Sequence, residues 1–98
     1  MQKFVITKNG VLRFGDVSLH KDLLPWGESE CFGGGFWRVE AGSISLYGRS
    51  FDFGPPQLNQ VRRIEWLGIG GKPVPLFYYP NYPELELAEP VYVNYGYR

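Results

Sequence analysis

Cysteine and histidine each occur once in this 98-residue chain, as Cys31 and His20. A lone cysteine closes no internal disulfide. Two such residues cannot supply the four ligands of a structural zinc site, so no metal centre is expected. An excess of one charge is missing too: 10 basic and 10 acidic residues cancel to a formal net charge of +0. A duplex-binding protein needs a basic face to displace counterions from phosphate, and the densest basic run here is only Arg62-Arg63. Nucleic acid is therefore not an expected partner. Near-zero charge also removes long-range repulsion between copies, which eases self-association. Long apolar runs are scarce. Phe4-Val5-Ile6 turns polar at Thr7-Lys8-Asn9-Gly10, which is short for a secretory signal, and nothing approaches the roughly 20 apolar residues of a membrane span. The expectation is a cytoplasmic protein that needs neither membrane nor cofactor.

What is abundant is aromatic residues (17%), glycine (13) and proline (8). Aromatic and β-branched side chains suit pleated surfaces, while glycine and proline punctuate short elements with turns. With no linker and no repeat, residues 1–98 read as a single domain of the β-rich α+β class. The predicted architecture is a small antiparallel sheet, or partly open barrel, of about five or six strands with one short helix.

Residues 3–7 and 11–14 flank Asn9-Gly10, whose tolerance of positive φ predicts a tight hairpin. Val17-Ser18-Leu19-His20 alternates like a half-buried strand, and residues 21–27 form a loop with one helical turn ended by Pro25. Gly33-Gly34-Gly35 leads into a strand over 36–40, with Phe36 and Arg38 on one face and Trp37 and Val39 on the other. Ala41-Gly42-Ser43 turns the chain into a returning strand, 44–47. Leu58, Val61 and Ile64 recur at helical spacing after Pro55-Pro56, which places the helix near residues 56–65. Residues 74–79 are expected to form an edge strand, and 91–98 a last edge strand or an extended tail.

The chemistry-bearing residues are sparse. His20 and Cys31 make the one possible Cys-His dyad, with Asp22 or Asp52 available to orient the imidazole. The competing reading is that His20 bonds a loop and Cys31 fills a small apolar space. Asp16, His20 and Asp22 offer a thin carboxylate-histidine set, too few ligands to expect a metal. Gly68-Ile69-Gly70-Gly71-Lys72 lacks the spacing of a phosphate loop, and Gly33-Gly34-Gly35 opens no helix. Glu28, Glu30, Asp52, Glu65 and Glu84 could do acid-base work in pairs, but no spacing selects one pair.

The aromatics carry the stronger signal. Trp26, Trp37, Phe51, Phe53, Tyr78, Tyr79 and Tyr95 are the candidate binding residues, several of them beside Gly and Pro in expected loops. Trp and Tyr on rigid loops anchor protein interfaces and stack on sugars or peptide prolines. For each one alone, capping the sheet is the simpler role.

The segments Leu19-His20-Lys21-Asp22-Leu23-Leu24-Pro25, Gly33-Gly34-Gly35-Phe36-Trp37 and Leu46-Tyr47-Gly48-Arg49-Ser50-Phe51-Asp52-Phe53-Gly54 resemble those of short uncharacterised bacterial proteins. That resemblance implies a bacterial, cytosolic setting and no activity. The functional expectation is a non-catalytic protein-interaction module, self-associating as a homodimer or acting as an inhibitor or immunity-type protein. The alternative is a small enzyme using His20, Asp22, Asp52 and Cys31 in a cleft under the aromatic loop.

Overall fold

The computed structural model of the chain describes residues 2–48, 53–64, 72–80 and 91–94. Its frame is one six-stranded sheet in the order β2-β1-β3-β4-β5-β6, not closed into a barrel. The strands are β1 (Lys3–Thr7), β2 (Leu12–Gly15), β3 (Cys31–Glu40), β4 (Ser43–Tyr47), β5 (Leu76–Tyr79) and β6 (Val91–Asn94). Two short helical pieces join them: a 3-10 turn, η1 (His20–Leu23), and the helix α1 (Leu58–Val61).

Local sequence explains the two hairpins. Between β1 and β2, Gly10 takes φ 79°, and no non-glycine residue among those described has positive φ. Asn9 therefore does not enter a two-residue mirror-image turn. Thr7 N–H donates to Val11 O and Gly10 N–H to Thr7 O, both at 2.9 Å, so Lys8, Asn9 and Gly10 form a three-residue loop. Thr7 Oγ1 also accepts from Val11 N–H at 3.1 Å. Between β3 and β4, Glu40 faces Ser43 across a two-residue loop in which Gly42 carries φ 77°.

Strand β3 is the spine, ten residues long. Its first half pairs with β1 and its second half with β4, both antiparallel. The three glycines lie inside this strand rather than before it, because each face is crossed there at close range. A Cβ on Gly33 would stand 2.6 Å from Pro56 Cα, and one on Gly34 2.8 Å from Phe4 O and 3.0 Å from His20 Cδ2. The register slips by one residue between Ile6 and Thr7, which leaves Phe32 as an extra residue on β3.

The alternation expected for 36–40 holds. Trp37 shares a face with its partner Leu46, and Phe36 shares the opposite face with Tyr47. The first face carries the core: Phe4, Ile6, Ile44, Leu46, Leu76 and Tyr78, under Val61 and Ile64 from α1 and the turn after it. Fully burying a side chain such as Leu or Ile contributes about 1.5–3 kcal/mol, so this cluster is the main source of stability. Helix α1 is shorter than expected. Pro55-Pro56 precede it, Gln57 N–H donates to Gln60 Oε1 at 3.2 Å, and looser turns carry the chain to Ile64. The stripe of Leu58, Val61 and Ile64 still faces the sheet.

Three expectations are corrected. Residues 17–20 are not a strand: they run irregularly into η1, pinned where Lys3 Nζ donates to Val17 O at 2.7 Å. Strand β5 is not an edge, because it lies between β4 and β6. Its pairing with β4 is parallel, while the other four pairs are antiparallel. A parallel neighbour needs a crossover, and the chain between β4 and β5 carries α1 across the sheet. Pro73 and Pro75 lack N–H groups, so β5 begins only at Leu76, although Pro75 O accepts from Ile44 N–H at 2.9 Å.

Candidate functional site

On the sheet face opposite the core, η1 lies over β1, β2 and β3. Asp22 shapes it: its Oδ2 accepts from Leu19 N–H at 3.3 Å, and its own N–H donates to Leu19 O at 3.0 Å. Leu24 N–H closes the turn on Lys21 O at 3.1 Å, and Pro25 ends it. This winding divides the residues. His20 and Leu23 point inward and are buried, while Lys21 and Asp22 are exposed.

His20 is 4% exposed. Its Nε2 lies 2.8 Å from Gly35 O, and since a carbonyl only accepts, Nε2 carries the hydrogen. The ring also meets Phe36 edge-on, at 5.6 Å between centroids. In this position the imidazole pegs η1 to β3. Cys31 Sγ, half-buried on β3, donates to Gly33 O at 3.6 Å. Asp52 lies outside the described residues. Among the described residues, no three His, Cys, Asp or Glu side chains are grouped to hold a metal ion.

After η1 the chain makes a second turn. Glu28 N–H donates to Pro25 O at 3.0 Å, with Gly27 at φ 84° in the third position. Trp26 occupies the second position, at the tip, and is 100% exposed. Between η1, this turn and the loop at Phe53 lies a cleft of about 440 Å³, lined by Lys21, Asp22, Leu24, Glu28, Ser29 and Phe53. A shallower depression of about 170 Å³ adjoins it and shares Glu28 and Ser29, with Lys8 and Glu30 beyond. There Lys8 Nζ stands 3.5 Å from Glu30 Oε2 and over the Phe32 ring.

The sequence-derived candidates are thus dispersed. Of the four catalytic candidates, Asp22 lines the cleft, and His20 is not among its described lining residues. Of the aromatic candidates, Phe53 lines the cleft, and Trp26, fully exposed at the turn tip, is not among its described lining residues. Trp37 packs against the core and on Phe14, 4.6 Å between centroids. Tyr79 stacks on Tyr47 at 4.9 Å. Tyr78 is a core residue and not a surface anchor: it is 0% exposed, and its hydroxyl donates to Pro56 O at 2.6 Å. Desolvation pushes its phenol pKa far above the ordinary value. Phe51 and Tyr95 lie outside the described residues. The lining residues that sequence reasoning passed over are Lys21, Leu24 and Ser29, while Glu28 stood only among several carboxylates that no spacing paired. The signal that pointed to them was Pro25-Trp26-Gly27-Glu28, a turn signature with tryptophan at its tip.

Among the described residues, no helix is long and apolar enough to cross a membrane. Comparison with protein-family models, with curated proteins and with solved structures finds no match to this chain.

Proposed function

We propose that the chain is a non-catalytic protein-interaction module that self-associates by adding the β6 edge of one copy to that of another. The observation that carries this reading is the place of β6. It ends the sheet, and among the described strands it pairs with β5 alone, while its Tyr92 is 41% exposed and meets Phe77 edge-on. An edge strand offers a row of backbone donors and acceptors to a second chain, and aromatic side chains anchor such pairings. The formal net charge of +0 leaves the approach of a second copy unopposed.

The competing reading, a small enzyme, has less support. It would use His20 with Asp22, Asp52 and Cys31, yet His20 Nε2 is occupied by Gly35 O and the ring is buried under η1.

The test is solution mass by light scattering on the full chain and on Tyr92→Lys, with thermal melting of both. A dimer that becomes a monomer of unchanged fold in Tyr92→Lys supports the reading, since a charge on an edge strand opposes pairing. A monomeric parent chain sinks self-association, and the purified monomer then serves as bait for a different protein, as an inhibitor or immunity-type function would require.

A further inference from the structure

We propose that Asn9 is a site of spontaneous deamidation, with the β1–β2 hairpin setting its rate. The reaction needs an asparagine amide, the backbone nitrogen of the next residue, and water. Gly10 N loses its proton to a solvent base and attacks Asn9 Cγ. The Cγ–Nδ2 bond breaks, ammonia leaves, and a cyclic imide joins the two residues. Water then opens the imide at either carbonyl, giving an aspartyl or an isoaspartyl residue. Nothing is oxidised or reduced.

Sequence and structure both select this position. A side chain on the following residue crowds the attacking nitrogen, and Asn9-Gly10 is the one Asn-Gly pair of the chain. Asn59, Asn81 and Asn94 precede Gln60, Tyr82 and Tyr95 instead. Asn9 is exposed, and its amide makes no hydrogen bond with a described residue, so nothing holds the electrophilic carbon away from attack. The loop also has room to change shape, since a Cβ built on Gly10 would meet nothing within 4 Å.

One contact opposes the reaction. The attacking nitrogen is tied down, because Gly10 N–H donates to Thr7 O at 2.9 Å. Thr7 also holds Val11 on the far side of the loop, through Thr7 N–H to Val11 O at 2.9 Å and Val11 N–H to Thr7 Oγ1 at 3.1 Å. An amide hydrogen bonded in a turn is given up to base only when the turn opens. Opening this turn breaks bonds of ordinary net strength, so the folded chain converts about tenfold more slowly than the unfolded one. The product has one acidic group more than basic groups, placed at the β2 end of the sheet and away from β6.

The experiment is incubation of the full chain in mildly alkaline buffer, with and without guanidinium chloride, followed by intact mass, ammonia release and peptide mapping. Expected is a gain of one mass unit confined to the peptide that holds Asn9, with aspartyl and isoaspartyl products together. The folded rate should lie about tenfold below the rate in denaturant, in step with hydrogen exchange at the Gly10 amide. Asn9→Gln abolishes the change in both conditions without moving the melting temperature, although Asn59, Asn81 and Asn94 remain. The proposal is overturned if the denatured chain keeps its mass, if the change falls at another asparagine, or if folded and denatured chains convert at the same rate. None of these outcomes touches the light-scattering result, so the modification and the self-association stand or fall separately.

Discussion

Removal of one buried oxygen tests the packing of this protein most sharply. Tyr78 has no exposed surface, and its hydroxyl donates to Pro56 O, itself on a buried residue. Tyr78→Phe keeps the ring and deletes that bond, leaving the carbonyl desolvated without its donor. The expected cost near neutral pH is about 1–2 kcal/mol. The same group makes stability depend on alkaline pH. Its folded pKa lies far above the ordinary 10.0 of an unfolded tyrosine, so above pH 10 the unfolded chain loses a proton that the folded chain keeps. The unfolded state then binds fewer protons, and stability falls with rising pH by about 1.36 kcal/mol per unit for this one site. Below pH 10 the contribution is fully present. The other tyrosines are common to both proteins and cancel in the difference. Urea denaturation of the two chains from pH 8 to pH 12 should therefore show the parent ahead by about 1–2 kcal/mol at pH 8, level near pH 11 and behind beyond it. A difference that stays constant across this range refutes the burial of the phenol, and a difference near zero at pH 8 refutes its hydrogen bond.

Two further outcomes follow from close packing on β3 and η1. Gly42→Ala meets open space and should cost only the positive φ, about 1–2 kcal/mol, whereas Gly33→Ala adds overlap with the Pro56 backbone and must cost clearly more. Equal melting temperatures for these two variants would show that Pro55-Pro56 does not cross β3 as described. His20→Ala leaves the buried Gly35 carbonyl without its donor and should destabilise by about 1–3 kcal/mol in urea, whereas a histidine held only for catalysis would leave the midpoint unmoved.

The parts of the fold legible in the sequence were those set by local rules. Asn9-Gly10 and Ala41-Gly42 marked both hairpins, although the first uses a three-residue loop because only Gly10, not Asn9, adopts positive φ. The alternation of Phe36 to Val39 gave the correct faces, and the stripe of Leu58, Val61 and Ile64 gave the helical segment over the core. What local rules do not encode is which strands meet. Residues 76–79 look the same whether they close an edge antiparallel or enter the sheet parallel to β4, and the crossover carrying α1 decides between them. Val17 to His20 illustrates the opposite error. Its alternation reads as a strand, but the bonds from Lys3 to Val17 and from Leu19 to Asp22 hold it in other shapes.

The candidate site was less legible, for a physical reason. Its walls come from η1, from the turn after Pro25 and from Phe53, and no periodicity links residues brought together by a loop crossing a sheet. Rarity pointed instead to His20 and Cys31, because reactive residue types draw the eye. Yet a histidine above a glycine-rich strand has a structural use. The absent side chain of Gly34 leaves room for the imidazole, and the adjacent Gly35 carbonyl takes its hydrogen. The glycines and the histidine are thus two halves of one packing device, which frees the outward side of η1, Lys21 and Asp22, to face the cleft. The one local sign of this region was Pro25-Trp26-Gly27-Glu28, where Gly27 takes the positive φ and Glu28 N–H closes on Pro25 O, so the turn that walls the cleft is set by proline and glycine and not by any reactive residue.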